Sequence, residues 1–262
     1  MVKLSSLLRY IPDPLPKTTV ARQQNNVAHV PHPKVVIDHR PVNHLSLRLG
    51  EHWAIVGKTG SGKTHFAKDL LEYYRRRFPD VKRYILDSTE DGMEGVLAKI
   101  EVRGNKMPDL LNNADFTSVW IPDTDVPTTY NQWFEHILYA REPAIVFVDE
   151  IASLTNGKHT DPLDGFIKLL KQGRKHDITV ISLTQEIARV PLTMFRQMTH
   201  FVLFRINNET YDMSMARKYL EVDKEQQSNP KGQYGFFYRR TDGDYLSKEY
   251  QSAQQFFRRE IR

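Results

Sequence analysis

Short, largely apolar runs recur along the chain at Trp53–Val56, Arg83–Leu86, Ser118–Ile121, Ala144–Val148, Thr179–Leu183 and Phe201–Phe204. Between them lies material with helical spacing. Phe66, Leu70, Leu71 and Tyr74 fall on one helical face, and Pro79 ends that segment. Strands alternating with helices predict an α/β fold: a mainly parallel central sheet with helices on both faces. Ile145-Val146-Phe147-Val148 is apolar at every position, which predicts a central strand buried on both sides. Lys34–Asp38 and Leu45–Leu49 also read as short strands.

The two ends break this alternation. Residues 1–33 carry Pro12, Pro14, Pro16, Pro31 and Pro33 and few periodic apolar positions, so they read as an extended arm. Near the other end, Gln233–Tyr238 and Asp244–Leu246 flank Thr241-Asp242-Gly243. Asp-Gly supplies the positive φ of a tight turn, so a hairpin is expected there. Gln251–Arg262 reads as a short basic helix anchored by Phe256 and Phe257.

Composition narrows the chemistry. The 262 residues contain no cysteine, which removes disulfides, thiolate zinc sites and cysteine nucleophiles. No run approaches the roughly 20 apolar residues of a membrane span, and no signal-peptide pattern opens the chain. A soluble, cytoplasmic protein is expected; for a viral protein that means host cytoplasm or virion-associated. Ten histidines show no metal-ligand spacing. The net charge is +5, with six Lys/Arg against two Asp over residues 1–40 and seven basic against four acidic side chains over residues 231–262. The ends are basic and the body is not. Basic arms suit a polyanion such as DNA, and equally suit solvated termini.

One loop carries a specific chemistry. Gly57-Lys58-Thr59-Gly60-Ser61-Gly62-Lys63-Thr64 matches the phosphate-binding pattern G-x-x-x-x-G-K-[ST], with an apolar strand before it and an amphipathic helix after it. Glycines let the backbone wrap closely around phosphate oxygens. The loop amides and the helix N-terminus then face the anion. Lys63 is placed for the β- and γ-phosphates and Thr64 for Mg²⁺. The expected ligands are ATP and Mg²⁺.

A second acidic site follows. The apolar strand at 145–148 runs straight into Asp149-Glu150, and charges at the end of a buried strand surface at its carboxyl edge. Asp149 is expected to hold Mg²⁺ through water and Glu150 to act as general base on the attacking water. An Asp-Glu pair after a strand is weak evidence alone and strong evidence downstream of a complete phosphate loop. Gln185, at the end of the next strand, offers a neutral amide that could touch both the water and the γ-phosphate. Before that strand, Lys171-Gln172-Gly173-Arg174-Lys175-His176 supplies a guanidinium for a neighbouring subunit's γ-phosphate. Arg174 is the candidate, with Arg189 and Arg196 as rivals.

Taken together, Gly57–Thr64, Ile145–Glu150, Gly173-Arg174-Lys175 before a strand, Ser182-Leu183-Thr184-Gln185 and Phe201-Val202-Leu203-Phe204-Arg205-Ile206 resemble the FtsK/HerA superfamily of ring-forming DNA-pumping ATPases. The resemblance covers roughly residues 45–210. It implies a RecA-like (ASCE) P-loop NTPase core over 45–210, a proline-rich basic arm over 1–44, and a C-terminal helix, hairpin and basic tail over 211–262. With no membrane spans and little room for an N-terminal barrel, the chain looks most like the genome-packaging ATPases of double-stranded DNA viruses. The resemblance implies a homo-oligomeric ring, pentamer or hexamer, with ATP at subunit interfaces, double-stranded DNA through the centre, and portal or capsid proteins as partners. Arg174 would then act in trans and Gln185 would be the family's sensor.

A translocase must hold phosphates rather than read bases. Two loops offer small residues beside cations: Asn156-Gly157-Lys158-His159, and Arg103-Gly104-Asn105-Lys106 in a flexible-looking insertion. Lys158, His159, Arg103 and Lys106 are the DNA-contact candidates. The alternative to DNA translocation is an assembly, secretion or conjugation-type ATPase working with a membrane partner. A GTPase switch needs Asn-Lys-x-Asp, and the nearest string, Asn105-Lys106-Met107-Pro108-Asp109, has its Asp one residue late.

Overall fold

The computed structural model describes residues 47–88, 100–104, 106–107, 117–123, 127–154, 163–190, 192–206, 230–241 and 248–261, together with 214, 216 and 218. The expected arm, the strand at Lys34–Asp38 and the loop carrying Lys158 and His159 lie outside these residues. The elements run in the order β1 (Trp53–Val56), α1 (Lys63–Arg77), β2 (Lys82–Leu86), β3 (Ile100–Arg103), β4 (Thr117–Ile121), α2 (Pro127–Ala140), β5 (Ala144–Val148), α3 (Ile151–Leu154) and α4 (Asp164–Gln172). Then come β6 (Ile178–Thr184), α5 (Leu192–Phe195), β7 (His200–Phe204), β8 (Phe236–Arg240), β9 (Lys248–Tyr250) and α6 (Ala253–Glu260).

The strands form one sheet in the order β3-β4-β2-β5-β6-β1-β7-β8-β9. The seven strands from β3 to β7 are parallel, and β8 and β9 continue the sheet antiparallel. Successive residues of the central strands bury into opposite layers, as a strand's two-residue period requires. Ala54, Val56, Val146, Val148 and Val180 pack toward α2 and α4, whereas Trp53, Ile55, Ile145, Phe147 and Ile181 pack toward α1 and α6. Both faces are covered, so the α/β fold with a mainly parallel sheet and helices on both faces is the one observed. All four expected apolar residues of α1 are buried. Among the described residues, no helix is long and apolar enough to cross a membrane.

Two local expectations need correction. Leu45–Leu49 is not a strand over its described part: Leu47 is buried in an irregular segment, and Leu49-Gly50 form a turn. The reason lies at Gly50, which adopts φ 81° and donates its amide to Thr179 Oγ1 at 3.0 Å. That turn redirects the chain into β1, and apolar composition alone does not reveal it. Arg103 does not lie in a flexible insertion. It ends the edge strand β3, paired parallel with β4, and the following Gly104 is fixed by its amide to the Ile121 carbonyl and by Trp120 Nε1 donating to its own carbonyl. At the C-terminal end β8 and β9 pair antiparallel as the expected hairpin, while Asp242-Gly243 and Asp244–Leu246 lie outside the described residues. The basic C-terminal helix forms as α6, with Phe256 and Phe257 buried.

Candidate functional site

Register places the sequence-predicted residues along one edge. Val56 pairs with Thr184 on one side and Leu203 on the other, and Val148 pairs with Ser182. The strand ends therefore release Gly57, Asp149 and Gln185 side by side at the carboxyl edge, where parallel sheets bind ligands. Backbone bonds tie the ends together: the Gly57 amide donates to the Thr184 carbonyl (3.1 Å), Lys58 to Arg205 (2.9 Å) and Asp149 to Leu86 (3.0 Å).

The phosphate loop is shaped as a cradle. Gly60 and Gly62 sit at φ 75° and 98°. A Cβ at Gly57 would stand 2.6 Å from both Phe204 Cβ and Ser61 Oγ, so only glycine fits under the loop. Ser61 Oγ is buried and has no hydrogen-bond partner among the described residues. Lys63 opens α1 and is buried, and no acidic residue occupies the first turn of that helix. A helix N-terminus, a buried ammonium and an unpaired hydroxyl around a glycine turn fit a phosphate chain in chemistry and in space. Thr64 follows at the same end and is half-buried.

Glu150 is held in an uncommon conformation. Its φ is 48°, in the left-handed region that non-glycine residues seldom adopt. Ser153 fixes its carbonyl, through the amide at 3.2 Å and the hydroxyl at 2.7 Å. The carboxylate accepts from the Thr184 hydroxyl (3.1 Å) and from the Gln185 amide (3.1 and 3.3 Å). Burial pushes the Glu150 carboxyl above its ordinary value, opposed by those donors and by Lys63, and assisted by the Asp149 charge. A raised carboxyl pKa beside a phosphate cradle is what a general base near neutral pH requires. Asp149 is buried.

Gln185 joins the two halves of the site. Its side-chain Oε1 accepts from Thr59 Oγ1 of the phosphate loop at 2.7 Å, while its backbone N–H donates to the Glu150 carboxylate. Sequence reasoning picked out the glutamine but not the partners. It passed over Thr184 and Asp87 as site residues. Asp87 is a buried acid directly after β2, beside the strand that carries Asp149. Arg205, directly after β7, has a buried Nε with no hydrogen-bond partner among the described residues. The signal for each was position: Thr184, Asp87 and Arg205 all sit at or just beyond the end of a strand that shares this edge.

The remaining predicted residues are elsewhere. Arg174 sits on a 3₁₀ turn, Gly173–His176, just before β6, at the opposite edge of the sheet. Its guanidinium donates to Thr199 Oγ1. Within one chain it does not meet Glu150. Arg189 pairs with Glu186 at 2.6 Å, and Arg196 is exposed on the carboxyl side of α5. Arg103, exposed and bound to Glu101 at 2.7 Å, and the exposed Lys106 lie at the carboxyl edge but at the β3 end of the sheet, five strands from β1.

The same arrangement of elements occurs in solved structures. The DNA-packaging ATPase B204 of Sulfolobus Turreted Icosahedral Virus superposes with a TM-score of 0.64 at 14% identity, over 79% of this chain and 99% of that one. The genome-packaging NTPase B204 of Sulfolobus turreted icosahedral virus 2, in complex with AMPPCP, gives 0.62 at 15% identity, over 77% and 97%. VirB4 of Thermoanaerobacter pseudethanolicus gives 0.56 at 11% identity, over 77% and 89%. No curated protein sequence matches the chain. At these identities the likeness establishes the P-loop NTPase fold, RecA-like as the sequence implied. The profile of the ATPase family associated with various cellular activities (AAA) matches residues 53–206, from the first strand to just past β7, and the chain belongs to that family.

Proposed function

We propose that this ATPase is the double-stranded DNA translocase of a genome-packaging motor, hydrolysing ATP at the interfaces of a homo-oligomeric ring. The observation that carries the reading is the bridge at Gln185, which ties the phosphate loop through Thr59 to the carboxylate of Glu150. A residue so placed feels both the nucleotide and the base, which a motor needs to convert hydrolysis into movement. In this reading Gly57–Thr64 hold the triphosphate, Lys63 neutralises its outer phosphates, and Glu150 takes the proton of the attacking water. Thr64 and Asp149 are hard oxygen donors suited to Mg²⁺, which when bound neutralises charge on the β- and γ-oxygens. Arg174 acts on the neighbouring subunit's nucleotide.

The DNA half of the reading is supported by the resemblance to ring-forming DNA pumps and by the likeness to a viral packaging ATPase along nearly its whole length. Arg103 and Lys106, exposed at the carboxyl edge, would hold backbone phosphates together with Lys158 and His159. The discriminating experiment measures ATP turnover by the full chain with and without double-stranded DNA. DNA stimulation, lost in Lys63→Ala and Glu150→Gln, is expected. Turnover indifferent to DNA in an assembled ring overturns the translocase reading. It leaves the assembly, secretion or conjugation-type alternative.

A further inference from the structure

Glu150 is gripped from both neighbouring strands of the sheet. β5, which it follows, lies between β2 and β6. On the β6 side its carboxylate accepts from the Thr184 hydroxyl and the Gln185 backbone N–H. On the β2 side the contacts reach the main chain instead. Ser88, just after β2, donates its hydroxyl to the Asp149 carbonyl at 2.9 Å. Ser153, on α3, donates its own to the Glu150 carbonyl at 2.7 Å. The two hydroxyl oxygens stand 3.1 Å apart.

The pair has something to hold. Glu150 sits at φ 48°, which costs energy for any residue with a Cβ and persists only where the surroundings over-determine it. Hydrogen counting shows which residue determines it. Each hydroxyl carries one proton, so the two of them cannot fill all three oxygen–oxygen contacts at once. Two arrangements leave the Ser88 proton on the Asp149 carbonyl. The third turns it to Ser153 and withdraws it from that carbonyl. In all three the Glu150 carbonyl keeps the Ser153 backbone N–H at 3.2 Å. The grip on the Asp149–Glu150 peptide therefore depends on Ser88, with Ser153 as its partner. Without the Ser88 proton the backbone at Glu150 can relax toward negative φ. The carboxylate then loses its fixed bearing on Thr184 and Gln185.

We propose that Ser88 is a positioning residue for ATP hydrolysis: its hydroxyl clamps the Asp149 carbonyl and so keeps Glu150 in the left-handed turn that aims its carboxylate. The proposal rests on the reading of Glu150 as the general base. Steady-state turnover of the full chain, with calorimetric binding of the non-hydrolysable analogue AMPPCP, tests both. Ser88→Ala is expected to lower kcat about tenfold, on the scale of one strained backbone residue, with KM for ATP and AMPPCP affinity as in the parent. Ser88→Cys keeps the volume but donates weakly, and is expected to fall with the alanine variant. Ser88→Thr retains the hydroxyl and is expected to turn over near the parental rate. Ser153→Ala is expected to lose less than Ser88→Ala, because the Glu150 carbonyl keeps the Ser153 N–H and the Ser88 proton then has the Asp149 carbonyl to itself. Parental kcat in Ser88→Ala or Ser88→Cys, equal losses in Ser88→Thr and Ser88→Ala, or loss of AMPPCP binding together with turnover overturns the clamp. Glu150→Gln, expected to bind AMPPCP without turnover, keeps the two readings apart. If it turns over as the parent does, the base assignment is refuted and the clamp with it. If it is inactive while Ser88→Ala is fully active, the clamp alone falls.

Discussion

Two side chains carry pH dependence that the geometry makes explicit. Glu150 is raised above the ordinary carboxylate value of 4.5, chiefly by burial, and the Thr184 hydroxyl and Gln185 amide hold part of that shift in check. A general base works in its ionised form, so turnover falls as pH drops through the raised value. The acid limb of the ATPase rate is therefore expected above the usual carboxylate range. Thr184→Val removes a donor that favours the charged form, and the limb should move further up. A limb at the ordinary value in both proteins, seen in turnover against pH at saturating ATP, contradicts this assignment of the base. His52 is the second case. Its Nδ1 accepts from the Val180 amide (3.2 Å), so its Nε2 carries the proton and donates to the Leu170 carbonyl (2.9 Å). Burial lowers its pKa from 6.5 to about 4. Between those values the unfolded chain binds the proton first, so stability falls as pH drops through that window. The full loss is roughly 3 kcal/mol at 1.36 kcal/mol per pKa unit. Denaturant unfolding of His52→Gln should show a flatter pH dependence there than the parent protein.

At the scale of elements, helix α4 illustrates how one position fixes packing. Its N-cap, Leu163, has no side-chain cap, and the orphan amide of Gly165 is satisfied instead by Asn131 Oδ1 of α2 at 2.8 Å. The two helices approach so closely that a Cβ at Gly165 would lie 2.4 Å from the Asn131 carbonyl oxygen. Backbone cannot yield as a side-chain tip can, so Gly165→Ala must separate the helices. A loss of about 1–3 kcal/mol is expected from overpacking of this kind, read as a lower urea midpoint at unchanged slope. A stability equal to the parent's would mean that α2 and α4 slide freely. This contact also marks what sequence could and could not reveal. The core strands announce themselves, because residues such as Ile145–Val148 are apolar on both faces and need no partner to be recognised. Gly50, Gly165 and the edge strand β3 do not. Each depends on a neighbour distant in sequence: Thr179, Asn131 and β4 respectively. Composition carries no trace of such neighbours.

For the whole molecule, the same limit divides the site in two. Gly57–Thr64, Asp149 and Glu150 were legible because glycine spacing and strand-terminal acids encode their chemistry locally. Thr184 was not, since its importance comes from the Glu150 carboxylate that the sheet sets beside it. Arg174 poses the question at its largest scale. It precedes β6 and Gln185 follows it, so the length of that strand separates the guanidinium from the base within one chain. A catalytic role for Arg174 therefore requires a second copy, whereas its bond to Thr199 Oγ1 offers a purely structural role within one copy. Mixing distinguishes the two. Arg174→Ala alone is expected to bind ATP and lose turnover, as removal of a transition-state cation does, and Glu150→Gln alone is inactive for want of the base. In a mixed ring, an intact Glu150 on an Arg174→Ala subunit can meet an intact Arg174 on a Glu150→Gln neighbour, so two inactive preparations should regain turnover together. A structural arginine gives no such recovery, because no neighbour restores the Thr199 contact. Full activity of Arg174→Ala, or silence of the mixture when both variants are folded and assembled, excludes the shared site and passes the search for its cation to Arg189 and Arg196.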